Sequence, residues 1–249
     1  MSALVRSELL KQRTTRTSLT LLAYMLGFIL LVVLLHVFSL DAGELSSRDN
    51  QLKVVGWGTS IGALFAALLG ALSITGEIRN GTIRPTFLAS PRRTRVIAAK
   101  VVASALAGIL VGLLAEALTT AITSAGLAAR GIEIELRVGD IAQLLAGGAA
   151  GAALFAALGV GVGALFRNQV GVVVGLCVWL LLVESLLVED VSTVGQFVPG
   201  ASAGALAGAL QSIGPANLIA PALGALLLVG YATAASVGGS IVTERRDVT

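Results

Sequence analysis

SLTLLAYMLGFILLVVLLHVFSL, residues 18–40, decides the fold. The stretch contains no Asp, Glu, Lys or Arg. A bilayer core of about 30 Å needs roughly 20 helical residues to cross it. The run meets that length and is too long for the apolar segment of a cleavable signal peptide. Arg6, Lys11, Arg13 and Arg16 precede it. It reads as a retained first membrane span with a basic start.

Working outward, five further apolar runs reach spanning length: about 54–75, 96–127, 141–166, 170–188 and 218–242. The whole chain of 249 residues is 56% hydrophobic and only 12% charged. A soluble domain carries about twice that charged share. The apolar residues come in long runs rather than in the roughly 10-residue alternating segments of a transmembrane barrel. The sequence therefore predicts an all-α integral membrane protein with six transmembrane helices.

The distribution of Lys and Arg orients the spans. Thirteen of the 17 lie in the N-terminal segment, the 76–100 loop, the turn at Arg167 and the C-terminal tail. The opposite side holds Arg48, Lys53, Arg130 and Arg137. Most acidic residues lie there too, including Asp41, Glu44, Glu133, Asp140 and Glu189. By the positive-inside rule both termini are expected in the cytoplasm. The single cysteine, Cys177, and single histidine, His36, exclude an intrachain disulfide, a cysteine metal site and a histidine cluster. No nucleophile–base constellation or metal set is visible, so catalytic and metal residues are expected to be none and the chain is not expected to be an enzyme. No nucleic-acid partner is expected.

Two segments outside the spans carry structure of their own. In residues 1–17, Leu4, Val5, Leu9 and Leu10 can share one helical face flanked by Arg6, Lys11 and Arg13. That pattern predicts an amphipathic helix in contact with membrane lipid at the interface. Residues 18–249 then form one six-helix domain. Between spans five and six, 189–217 is an external segment with no charge from Val191 to Gly214, rich in Gly, Ala and Ser and holding Pro199. A solvated loop is rarely so apolar, and a seventh span would place Arg245 and Arg246 outside. The expectation is a re-entrant apolar hairpin covered by the other helices.

The basic loop 76–95 is richer still. Gly76 and Glu77 end the second span, followed by Arg79 and by Asn80-Gly81, a turn signal. Thr82 can cap a short helix whose Pro85 falls in the first turn. Ile83, Phe87 and Leu88 give that helix an apolar face and Arg84 a polar one. Ser90-Pro91 can start the next helix, which carries Arg92, Arg93 and Arg95 past Lys100. A topology anchor needs only the positive charge. The turns, prolines and apolar face suit docking into a cleft of a cytosolic partner.

Glu77-x-x-x-Gly81-Thr82-x-Arg84, Pro91-x-Arg93 and Lys100, set among six spans behind an amphipathic start, resemble the permease subunits of ABC-2 type exporters. The resemblance covers essentially the whole chain, and residues 77–100 are its sharpest part. It implies that the 76–95 loop is a coupling helix seated in a groove of a separate ATP-binding subunit. Glu77, Arg79, Gly81, Thr82, Ile83, Arg84, Phe87, Pro91 and Arg93 would carry that contact. It implies a bacterial plasma membrane location and two copies each of permease and ATPase, the permeases as a homodimer. ATP and Mg would sit on the partner, with no cofactor on this chain. That last point agrees with the residues: Lys11, Lys53 and Lys100 are the only lysines and none follows a glycine, so a phosphate-binding loop is absent.

Two carboxylates, Glu116 and Glu184, fall inside predicted spans, where an ionisable group needs a reason to be. Both are candidates for the substrate path. In the resembled family spans two and five line that path, which favours Glu184. The pairs Gly58/Gly62, Gly147/Gly151 and Gly171/Gly175 make smooth helix faces, expected to serve internal packing. An acidic outer surface suits an amphiphilic or cationic substrate, such as a drug, antibiotic, peptide or lipid. Two other readings stand beside the exporter: a proton-coupled carrier using Glu116 and Glu184, and a receptor whose loop recruits a cytosolic protein.

Overall fold

The computed structural model describes residues 1–90, 92–209 and 219–245. Among these residues there is no β-strand, and six helices are long and apolar enough to cross a membrane. The protein reads as a multi-pass membrane protein. Pro91, residues 210–217 of the expected hairpin, Leu218 at the start of the expected sixth span and the tail beyond 245 lie outside the described residues.

The chain begins with α1 (Ser2–Thr14), breaks at the extended residue Thr15, and enters α2 (Arg16–Ser39). A short α3 (Ala42–Leu45) leads to α4 (Arg48–Arg79), capped by the Ser47 side chain, which accepts from the Asn50 N–H at 3.3 Å. Gly81, at φ +69°, turns the chain into α5 (Ile83–Ala89). Then come α6 (Arg93–Ala129) and α7 (Val138–Phe166). Arg167 adopts a left-handed conformation after α7, and Asn168 caps α8 (Gln169–Val178), accepting from the Gly171 N–H at 3.0 Å. A π-helical turn, Trp179–Val183, joins α8 to α9 (Glu184–Asp190) within the fifth span. The short helices α10 (Ser192–Gly195) and α11 (Pro199–Ala207) precede α12 (Pro221–Arg245). Helices α4, α6 and α7 exceed their predicted spans because polar residues continue them. The 37 residues of α6 extend about 55 Å at 1.5 Å per residue, well past the apolar core.

Helix α7 is the hub and packs on α4, α6, α11 and α12. Small residues permit it. An ideal Cβ on Gly70 of α4 would lie 2.0 Å from Ala156 O of α7, and one on Gly159 of α7 would lie 2.0 Å from Ala67 O of α4. The two backbones therefore touch, and only glycine fits at either crossing. The Gly58/Gly62 pair faces α6, and Gly147/Gly151 faces α11. Among the described residues a Cβ on Gly175 would have nothing within 4 Å, and one on Gly171 would meet only Asn168 of its own cap, so this face of α8 packs on no other helix described. Helices α2, α8–α9 and α12 are peripheral and turn large apolar side chains outward, among them Tyr24, Phe38, Leu182 and Leu226. In a hydrocarbon solvent that surface is the compatible one.

The two ends of the bundle are closed differently. At the acidic end Arg48 grips Asp140 through Nε at 2.9 Å and Nη2 at 2.5 Å. Arg130 donates to the C-terminal carbonyls of α2, Val37 O and Leu40 O. Gln51, fully buried, bridges Leu45 O, Glu133 O and the Glu135 N–H. At the basic end, Arg6, Arg13, Arg16, Arg84, Arg92 and Arg95 are exposed.

Candidate functional site

The basic end is held by a closed ring of four charges. Lys100, 1% exposed, donates to Glu8 Oε2 at 2.6 Å, Glu77 Oε1 at 2.8 Å and Ser73 O at 3.1 Å. Lys11 donates to Glu8 Oε1 at 2.6 Å and Glu77 Oε1 at 2.8 Å. Two ammonium groups and two carboxylates thus bind α1 to the end of α4 and the start of α6. Burial alone would lower the Lys11 pKa; the carboxylates Glu77 and Glu8 outweigh it and hold the pKa above the ordinary 10.5. Gln12 extends the link, donating to Ser104 Oγ at 2.7 Å.

Two features of this ring go beyond the sequence reading. The most buried residue of α1 is Glu8, not one of its leucines, and Leu10 is 61% exposed. The helix docks on the bundle by charge pairing, while Leu4, Val5 and Leu9 are half-buried. Glu77, expected at the edge of a partner contact, points inward and is committed to Lys11 and Lys100.

Helix α5 sits beside this ring, and its apolar face is divided. Ile83 is 2% exposed and packs into the chain's own cluster with Ile74, Ile97, Val160 and Ala164. It anchors α5 from below, and its side chain is spent inside the chain. Phe87 is half-buried against the same cluster and lies under Arg93, whose guanidinium carbon is 5.5 Å from the ring centre. Leu88, about a quarter-turn round the helix, is 83% exposed. Arg84 is exposed as well. Arg93 also donates to Thr243 O at 3.0 Å, tying α6 to the last turn of α12. Arg79, at the exposed end of α4, meets Gln169 of α8 at 3.4 Å.

The caps differ from expectation. Thr82 makes no side-chain cap to α5; its hydroxyl donates to Glu77 O at 3.5 Å. Helix α6 starts at Arg93 rather than at proline 91, with Ser90 extended at φ −135° and ψ 91°. Ser90 has the extended backbone that a following proline favours and that an N-cap adopts, but the N-cap of α6 is Arg92, itself extended at φ −83° and ψ 91°. Pro91 itself is among the undescribed residues. Beside α5 and the charge ring a groove of about 640 Å³ opens, lined by Lys11, Gln12, Thr17, Arg79, Thr82 and Thr86 among others.

The two intramembrane carboxylates have different surroundings. Glu116 is fully buried between α4, α6 and α7, with the Thr59 hydroxyl donating to Oε1 and no partner on Oε2 among the described residues. Gly58 and Gly148 make room for it; a Cβ on either would come within 3 Å of its side chain. Glu184 instead lines a cavity of about 380 Å³ between α2, α4, α9 and α11. Its walls are mostly apolar, with Phe28, Val32, Trp57, Leu64 and Phe155 prominent. His36 lines the same space and leans on Trp57, ring centres 5.1 Å apart, with Nδ1 donating to Val32 O at 2.9 Å.

No protein-family model matches the chain, and no curated protein matches it significantly in sequence.

Proposed function

We propose that the chain is the transmembrane subunit of an ATP-driven exporter of the ABC-2 type, coupled at α5 to a separate ATP-binding subunit. The observation that carries the reading is the state of α5. A seven-residue helix is fixed from below by Ile83 while Leu88 and Arg84 stay exposed at its surface. The charge ring beside it joins α1, α4 and α6 into one rigid end, so a push on α5 would reach three helices at once. In this reading the basic end faces the cytoplasm, α1 lies at the lipid interface, and Arg84, Phe87 and Leu88 meet the ATPase. ATP and Mg belong to that partner, and a second permease copy completes the assembly.

The cavity beside Glu184 is the proposed substrate space, and its apolar lining suits an amphiphilic molecule. The α10–α11 segment would dip in from the outer face and close the cavity's outer end. A proton-coupled carrier fits less well. Glu116 has no exposed surface, and both oxygens of Glu184 are engaged by the chain's own donors. The test is purification of the membrane complex and its reconstitution in lipid vesicles. Mg-ATP hydrolysis that travels with the chain and rises with an amphiphilic substrate supports the exporter. A chain that moves substrate on a proton gradient, with no ATPase attached, overturns it.

A further inference from the structure

We infer that Glu184 is a latch: its carboxylate fastens the end of the fifth span to α11 and holds the cavity closed at that end. The inference rests on the proposal that the cavity opens outward there.

Glu184 is 5% exposed, and each of its oxygens has one donor. Oε1 accepts from the Trp179 indole N–H at 2.8 Å, and Oε2 accepts from the Gly200 backbone N–H at 2.7 Å. Gly200 is the second residue of α11, where a backbone N–H has no partner within its own helix. A carboxylate is the favoured group at that position. A Cβ at Gly200 would lie 2.2 Å from Glu184 Oε2, so an added methyl would push the carboxylate out of its present position. Trp179 opens the π-helical turn immediately before Glu184. Such a turn inserts one extra residue and rotates everything after it, which aims Glu184 at α11.

The mechanical arrangement follows from what holds each side. Helix α11 is fixed to its other neighbours by close backbone contacts. Gly224 of α12 abuts Ser202 O, and Gly147 of α7 abuts Ala207. Tyr231 of α12 donates to Phe197 O, just before α11, at 2.9 Å. Against α9, among the described residues, it has a small apolar cluster, Val188, Val198 and Ala201 with Leu187, besides the Glu184 link. The separable joint is therefore α9 against α11. The π-turn, where the regular α-helical hydrogen-bond ladder is interrupted, is the hinge about which α9 can swing.

Ala63 lines the cavity from α4 and is only 4% exposed, so Ala63→Cys is a small, buried reporter. It is placed in a Cys177→Ser background, and its labelling by a membrane-impermeant thiol reagent is followed in intact cells. The parent is expected to label slowly. Glu184→Gln, which cannot accept from both N–H groups as the carboxylate does, and Gly200→Ala should each speed labelling roughly tenfold or more, as expected for loss of a charge-assisted hydrogen bond. Glu184→Asp combined with Gly200→Ala shortens the acid to make room for the new methyl and should restore much of the protection. A folding defect would not be rescued this way. Glu189→Gln, exposed on α9, should change nothing. Unchanged labelling in both Glu184→Gln and Gly200→Ala overturns the latch. A parent reporter that labels as fast as a cysteine at the exposed Glu133 overturns the closed cavity, and the latch with it.

Discussion

Replacing Lys100 with Met removes one corner of the buried charge ring while keeping the length of the side chain. The substitution deletes contacts of 2.6 Å to Glu8, 2.8 Å to Glu77 and 3.1 Å to Ser73 O. It leaves two carboxylates, 5% and 13% exposed, sharing one ammonium. Taking away one partner of a buried ion pair costs about 3–5 kcal/mol, because the remaining charge stays desolvated. Lys11 still reaches both carboxylates, so the low end applies, about 3 kcal/mol. Adding Glu8→Gln removes the orphaned charge, and the double variant should recover at least about 1.5 kcal/mol of the summed loss, as contacting residues do. Unfolding in mixed micelles gives the stability, and tryptic cleavage at Arg13 and Arg16 reports release of α1. Single variants within about 0.5 kcal/mol of the parent, the range of ordinary surface changes, with α1 still protected, would refute the view that the ring docks this helix.

Three other outcomes follow from the same geometry. A cysteine at Glu133 should label from outside intact cells and one at Arg13 should not; the reverse pattern would invert the proposed orientation. Gly70→Leu should destabilise by about 3 kcal/mol or more, since the new side chain starts 2.0 Å from Ala156 O, whereas Gly175→Leu, in open space, should leave the stability of the single chain nearly unchanged. The raised pKa of Lys11 means that its contribution to α1 docking is fully present below the ordinary 10.5 and is lost only as pH rises through the raised value. Tryptic protection of Arg13 should therefore be flat between about pH 6 and 9 and fall only in strong alkali.

The spans were legible because membrane insertion is a local property: length and apolarity of one run decide it, and all six runs are helices in the structure. The roles of Gly58/Gly62 and Gly147/Gly151 in internal packing were also within reach. The charge ring was not. Lys100 and Glu8 are 92 residues apart, and no periodicity in either helix announces that they meet. Counting charges placed Lys11 and Lys100 among the orienting cations, which describes their side of the membrane but not their burial. The apolar face of α5 was legible as a face, yet sequence could not say that Ile83 would turn into the chain and Leu88 out of it. Glu184 was found as an intramembrane acid, but its use depends on Gly200, which only the folded chain brings to it. Its glycine-rich setting after Pro199 was the one signal available.

If α5 is the contact for the proposed ATP-driven partner, Leu88 is its sharpest probe, because it is 83% exposed and belongs to none of the apolar clusters among the described residues. The measurement is the amount of ATP-binding subunit that copurifies per permease, with ATP turnover in lipid, for the parent and for a Leu88→Asp, Arg84→Glu double variant. Apolar anchors at such contacts often carry 2 kcal/mol or more, roughly a thirtyfold loss of affinity. The account predicts a normally folded, membrane-inserted chain that has lost most of its ATPase subunit or no longer couples hydrolysis to export. Parental levels of bound ATPase and of coupled export in that variant would contradict it.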